Sequence, residues 1–183
     1  HAFWSERYAN AEGHLFGDAP NAFLARHAHL LKPGWRVLVP ADGDGRNGIW
    51  LAEQGLDVVS TDYSPVAQAE ARRWAAERGV APRFELGDLT EYAWPEAAFD
   101  AIVVIFAQFL TPPDRAAAFA GIARSLRAGG LLLMQGYRPE QLAYGTGGPK
   151  AEENLYTEPM LREAFADFGQ IEIASYDAVL EEG

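Results

Sequence analysis

Residues 35–65, WRVLVPADGDGRNGIWLAEQGLDVVSTDYSP, constrain the fold more than any other part of the chain. Val37, Leu38 and Val39 form a short apolar run that reads as a strand. Gly43 and Gly45 permit a tight turn, and Ile49, Trp50 and Leu51 open a helix that Gly55 ends. Residues 56–60 read as a second buried strand, followed by Asp62. Strand, glycine turn, helix, strand and acid make half of a nucleotide-binding unit. In such units a carboxylate about 20 residues beyond the turn meets a ribose hydroxyl pair.

Helix and strand signals keep alternating to the end of the chain. A helix is expected over residues 20–31, stopped by Lys32-Pro33-Gly34, and another from the Ser64-Pro65 cap to about Arg78, ended by Gly79. Residues 83–86 suggest a third strand. Residues 99–106, FDAIVVIF, are almost continuously apolar, as in a central strand covered on both faces. A helix over 112–127 is broken by Gly129-Gly130, and residues 131–135 read as a fifth strand. A helix over 158–168 and a last strand over 171–180 complete the series. This alternation predicts an α/β fold: a three-layer, doubly wound, mainly parallel sheet that binds its ligand at the carboxyl ends of the strands.

Composition narrows the function. With 183 residues and 49% hydrophobic content, one well-packed domain is expected, and no apolar run reaches the roughly 20 residues of a bilayer span. A net charge of −11 disfavours nucleic acid and makes a small molecule the expected partner. The chain has no cysteine, so disulfides, thiolate nucleophiles and thiolate metal sites are excluded. A cytoplasmic location follows as the default, with no nucleic acid, membrane or metal partner, and the oligomeric state is left open. His1 reads as a trimmed or tagged start.

The turn Gly43-Asp44-Gly45-Arg46-Asn47-Gly48 satisfies GxGxxG literally, which suggests a dinucleotide. Its charge argues otherwise. A pyrophosphate would meet Asp42 and Asp44 at a cost of roughly 4 kcal/mol per contact at about 4 Å before screening. S-adenosylmethionine carries no phosphate, and its sulfonium is a cation that an acidic turn suits. Gly87-Asp88-Leu89, closing the third strand, offers a carboxylate and a backbone N–H to adenine; an Asx turn explains the same residues equally well.

With these residues in place, the chain resembles the class I S-adenosylmethionine-dependent methyltransferases. VLVPADGDG stands at the family's first motif, Asp62 matches its ribose-binding acid, and LRAGGLLLM (residues 126–134) resembles its helix-to-fifth-strand junction. GDGRN with WLAEQG, and GYRPEQLAYGTGGPK, are similar to the small bacterial tellurite-resistance and thiopurine-methyltransferase-like group. The resemblance implies one methyltransferase domain over residues 1–183, with an aromatic flap and helix in 1–33 and a Rossmann-like core in 34–183. It implies S-adenosylmethionine as cofactor, S-adenosylhomocysteine as product, and a small acceptor such as a thiol or chalcogen species. The implied strand order is 3-2-1-4-5-(7)-6, with the seventh, antiparallel strand absent from this chain. The implied cofactor residues are Ala41, Asp42, Gly43, Gly45, Arg46, Asp62, Tyr63, Asp88, Leu89 and Phe106.

Two departures stand out. Val39 replaces the family's usual acid, which shifts the methionine end of the cofactor to the Phe106 carbonyl and to Asp42 or Asp44. Ala41 replaces the first glycine, which alanine tolerates if its φ stays negative. Arg46 at a helix N-terminus calls for a local carboxylate or a bound anionic group. Trp4, Tyr8 and Phe16 fit either core packing or a flap whose aromatic faces attract a sulfonium. His27 and His29 point to different helix faces and make no metal pair. Residues 145–150 lack the Ser or Thr of a phosphate loop and suit a mobile rim. For an oxygen acceptor the candidate bases are His14 or a carboxylate near residues 106–109; no catalytic residue is assigned. A cofactor-binding regulatory module without turnover, and a nicotinamide-dependent oxidoreductase, are the competing readings.

Overall fold

The computed structural model describes residues 2–180; His1, read above as a trimmed start, and the terminal Glu181-Glu182-Gly183 lie outside the described residues. Five strands, β1 (Arg36–Pro40), β2 (Asp57–Asp62), β3 (Arg83–Leu86), β4 (Phe99–Ile105) and β5 (Leu126–Gln135), form one parallel sheet in the order β3-β2-β1-β4-β5. Six helices accompany them: α1 (Ala2–Ala9), α2 (Ala22–His27), α3 (Arg46–Glu53), α4 (Pro65–Glu77), α5 (Pro112–Ser125) and α6 (Glu158–Ala164). The order reverses between β1 and β4, so their carboxyl ends open side by side at the switch point, where this class of sheet receives ligands.

The caps follow local chemistry. Ser64 Oγ accepts from Ala67 N–H (3.3 Å) with Pro65 opening α4, and Thr111 accepts from Asp114 N–H (3.4 Å) ahead of Pro112. The Asn21 side chain accepts from Leu24 N–H at 2.9 Å to start α2. This helix ends at His27 and continues as one 3-10 turn to Leu30, shorter than the span expected.

Successive residues of the central strands serve opposite cores. Leu38, Val59, Ile102 and Val104 pack with Phe119, Ile122, Tyr156 and Phe165 on the face of α5 and α6. Val37, Val39, Val58, Ala101 and Val103 pack with Leu24, Leu31 and Leu51 on the face of α2 and α3. Val39 is thus a buried core residue.

Three expectations are corrected here. The glycine pair at 129–130 does not separate α5 from the fifth strand. The helix ends at Ser125 and β5 starts at Leu126, with the register slipping between the pairs Phe99↔Leu126 and Ala101↔Leu131. The glycines belong to that bulge: Gly129 has φ +77°, and a Cβ on Gly130 would lie 2.8 Å from the Arg127 carbonyl. The last helix stops at Ala164 rather than 168. Residues 171–180 form no strand. In the expected order another strand separates them from β5, and among the described residues their main chain has no ladder partner. Side chains tether them instead: Tyr176 Oη meets Gln135 and Arg26 (both 3.3 Å), and Asp177 pairs with Arg138 at 2.5 Å.

Candidate functional site

The site starts from strained backbone. At the carboxyl end of β1, Ala41 adopts φ +53°, against the expectation that it would stay negative; beyond the end of β4, Phe106 adopts φ +52°. The chain has to leave the sheet sharply at both places. A non-glycine residue held left-handed costs about 1–2 kcal/mol, and such residues gather at functional sites. Gly43 (φ +60°) and Gly45 (φ +83°) complete the turn. Gly45 also has to be bare, because a Cβ there would lie 3.0 Å from Ala71 Cβ and 3.3 Å from the Phe84 ring.

The three acids of the turn region do different work. Asp62 Oδ2 accepts from Gly43 N–H and Oδ1 from Ser64 N–H, both at 2.9 Å, so the carboxyl at the end of β2 is clamped to the glycine turn. Tyr63 N–H is a third donor to this carboxyl, and since each carboxylate oxygen accepts about two hydrogen bonds, Asp62 retains acceptor capacity for one further hydroxyl. Asp42 lies beneath the loop rather than in the cleft. Its Oδ2 takes Gly48 N–H (3.0 Å) and the Ser60 hydroxyl (2.8 Å), while Oδ1 is buried without a partner. Burial pushes this carboxyl from 3.8 up to about 8, which makes it neutral at pH 7. Asp42 is therefore a brace of the turn, with Oδ2 held by Gly48 and Ser60. Burial also raises the Asp44 and Asp62 carboxyls; Leu15 N–H, His14 and Arg46 oppose the rise at Asp44.

Arg46 is buried at the start of α3, where its guanidinium donates to the Phe16 carbonyl (3.1 Å) and sits 5.6 Å from the Phe16 ring centroid. The cation thus binds the N-terminal segment and favours the charged form of Asp44. Asn47, missed in the sequence, accepts from Asn21 N–H at 2.8 Å. The Tyr63 hydroxyl meets the main chain of Trp4, and burial raises its phenol. Asp88 forms the Asx turn, its Oδ1 accepting from Thr90 N–H and Oγ1 (both 2.9 Å), while Leu89 packs into the core.

On the β4–β5 side the Phe106 ring stacks on Tyr137 at 4.5 Å. Buried Gln108, another residue the sequence did not single out, donates to the Tyr137 and Asn154 carbonyls (2.8 and 3.2 Å) and accepts from Tyr137 N–H (2.6 Å). It pins the segment after β5 to the end of β4. Its only advance signal was a polar residue in a strongly apolar stretch. His14 is elsewhere: it stacks on Trp74 (3.1 Å) with Nδ1 3.6 Å from Asp44. His27 and His29 each contact main-chain carbonyls of their own turn. Among the described residues no three metal-ligating side chains gather, and no helix is long and apolar enough to cross a membrane.

Residues 37–130, more than half of the chain, match the family described as "Methyltransferase domain". The chain belongs to that family. A thiopurine S-methyltransferase of Nitrosospira multiformis is 35% identical over 88 residues, 47% of this chain and 39% of the relative. A demethylmenaquinone methyltransferase of Thermus thermophilus is 35% identical over 112 residues, 60% of this chain and 50% of the relative. This methyltransferase domain thus spans half or less of the length of these curated relatives. The fold is shared with a TehB-like SAM-dependent methyltransferase of Corynebacterium glutamicum (TM-score 0.65, 24% identity, 91% of this chain and 83% of that one). It is shared too with TehB of Haemophilus influenzae (TM-score 0.68, 20% identity, 90% and 54%). In the methyltransferase domain the glycine turn, Asp62 and the two strained residues all fall at the switch-point end of the sheet.

Proposed function

We propose that this domain binds S-adenosylmethionine across the carboxyl ends of β1, β2 and β4 and transfers its methyl group to a small-molecule acceptor. The observation that carries the reading is the clamp between Asp62 and Gly43: an acid at the end of β2 is fixed to a glycine turn at the end of β1, with acceptor capacity to spare. The donor chemistry fits. With Asp42 neutral beneath the turn, Asp44 and Asp62 are the acids left beside it; they suit a sulfonium better than a pyrophosphate, and the bare Cα of Gly43 admits close approach.

In this reading Asp62 holds a ribose hydroxyl, Tyr63 and the 88–89 turn flank the adenine, and the Phe106 main chain borders the methionine end. The Phe106 carbonyl already accepts from Gln108 N–H at 2.9 Å, which fixes its direction. When bound, S-adenosylmethionine supplies an activated methyl group, whose transfer to an acceptor lone pair breaks the methyl–sulfur bond and leaves S-adenosylhomocysteine. The chain's task is then to align the acceptor and exclude water, and effective concentration supplies much of the acceleration. A thiol or other chalcogen acceptor needs little base assistance, in keeping with the thiopurine S-methyltransferases among the relatives and with the stacked Phe106–Tyr137 pair beside the switch point.

Calorimetric titration with S-adenosylmethionine and NAD in parallel tests the donor. We expect binding of the first alone, lost in Asp62→Ala. Methyl transfer to a panel of thiols, read by mass spectrometry, tests turnover; donor binding without any transfer would favour a cofactor-binding module.

A further inference from the structure

Asp42 through Ile49 are buried, although they include the turn that the donor has to reach. What buries the turn is the N-terminal segment of the same chain. The Tyr8 phenol rests directly on Gly43, so that a Cβ at this glycine would collide with the hydroxyl. Ser5 Oγ donates to Ser64 Oγ at 3.1 Å, and the main chain of Trp4 meets Tyr63. Burial, and then the charges of Asp44, Asp62 and Asp42, hold the Tyr8 phenol far above its ordinary range, so it stays protonated among the acids.

This cover has two unequal parts. Residues 15–21 are an anchor, tied to the turn by Leu15 N–H on Asp44 (3.1 Å), Arg46 on the Phe16 carbonyl and Asn21 N–H on Asn47. α1 is an arm tied by Ser5 on Ser64, Trp4 and Arg7 against the Phe16 ring, and Tyr8 on Gly43, and residues 3–9 are exposed or half-buried. Gly13, at φ +87° with open space around it, lies between the two. Rotation there moves the arm, parting Trp4 and Arg7 from Phe16, and leaves the anchor's hydrogen bonds to the turn intact.

Resting on the donor site proposed above, we infer that α1 is a gate on that site and Tyr8 its bolt. The phenol holds the face of Gly43 that the donor needs, and α1 swings out about Gly13 before S-adenosylmethionine seats. The arm and the donor are competitors for one glycine. Affinity measured for the intact chain is then the intrinsic affinity multiplied by the fraction of molecules with the arm open.

The absence of cysteine allows a direct test. In a Ser5→Cys/Ser64→Cys variant a disulfide, at about 2.05 Å between sulfurs, replaces a 3.1 Å hydroxyl contact and locks the arm shut. The oxidised form, titrated with S-adenosylmethionine, is expected to bind about 100-fold more weakly than the same protein after reduction. Tyr8→Ala is expected to bind about 10-fold more tightly than wild type and with faster association, while Tyr8→Phe keeps the ring and most of the block. Equal binding by the oxidised and reduced forms, or weaker binding by Tyr8→Ala, overturns the gate and leaves the donor assignment standing. No binding by wild type, Tyr8→Ala and the reduced variant alike, with all three folded by circular dichroism, overturns the donor assignment and the gate together.

Discussion

Replacing Asp42 by asparagine should make the chain more stable at neutral pH, with the gain shrinking as the pH falls. The amide would match the shape of the protonated acid and keep a carbonyl oxygen for Gly48 N–H and the Ser60 hydroxyl, but it has no proton to lose. The unfolded carboxyl ionises above its ordinary value of 3.8, whereas the folded one keeps its proton up to about pH 8. Between those limits the folded state binds more protons, so the wild-type protein loses stability as pH rises and levels off above about 8. At about 1.4 kcal/mol per unit, the interval from about pH 5.5 to 8 is worth up to about 3 kcal/mol, and relaxation around the ionised group should leave about 1–3 kcal/mol. Urea unfolding of both chains at about pH 5.5, 6.5, 7.5 and 8.5 measures the difference directly. It should widen through the first three points and then flatten. A constant difference across the series, or an asparagine variant less stable at neutral pH, would show that Asp42 ionises in the folded protein.

Two further perturbations test the site's framework. Gln108→Ala removes a side chain that serves Tyr137 N–H and two carbonyls, and should cost about 2–4 kcal/mol in urea unfolding; a loss below about 1 kcal/mol would mean that solvent replaces it. Ala41→Gly relieves left-handed strain but loosens the unfolded chain by a similar amount, so it should be neutral within about 1 kcal/mol. Ala41→Val in the same assay should cost more than about 2 kcal/mol, since a β-branched residue fits φ +53° poorly; near-neutral behaviour would mean that the turn is relaxed.

The sheet was legible because its apolar runs are short, regular and punctuated: Val37 to Val39, FDAIVVIF and the glycines at 43, 45, 55 and 79 each carry a local signal. The strand order 3-2-1-4-5 followed from the resemblance and holds in the structure. What escaped depends on direction rather than on residue type. Asp42 and Asp44 look alike in sequence, yet one faces inward to Ser60 and the other the Leu15 main chain, and nothing local distinguishes them. The Gly129-Gly130 pair signals a break without saying whether the break is a turn or a bulge. Residues 171–180 have strand composition, but a strand also needs a neighbour, which no sequence window contains. Tyr8 read as part of an aromatic cluster; its contact with Gly43 is set by packing between segments far apart in the chain.

The place of β1 has a consequence for how the chain is made. β1 pairs with β2 on one side and β4 on the other, and Arg36 N–H donates to Asp100 Oδ2, 64 positions later. The first half of the sheet, β1 to β3, closes through neighbouring segments, whereas the second edge of β1 waits for a strand not yet synthesised. At about 5–20 residues per second that wait lasts about 3–13 s. Throughout it the most apolar strand of the first half shows the ribosome's surroundings an open, unpaired flank. Slower synthesis across residues 63–98 should therefore lower the yield of this protein while leaving the stability of the finished fold unchanged.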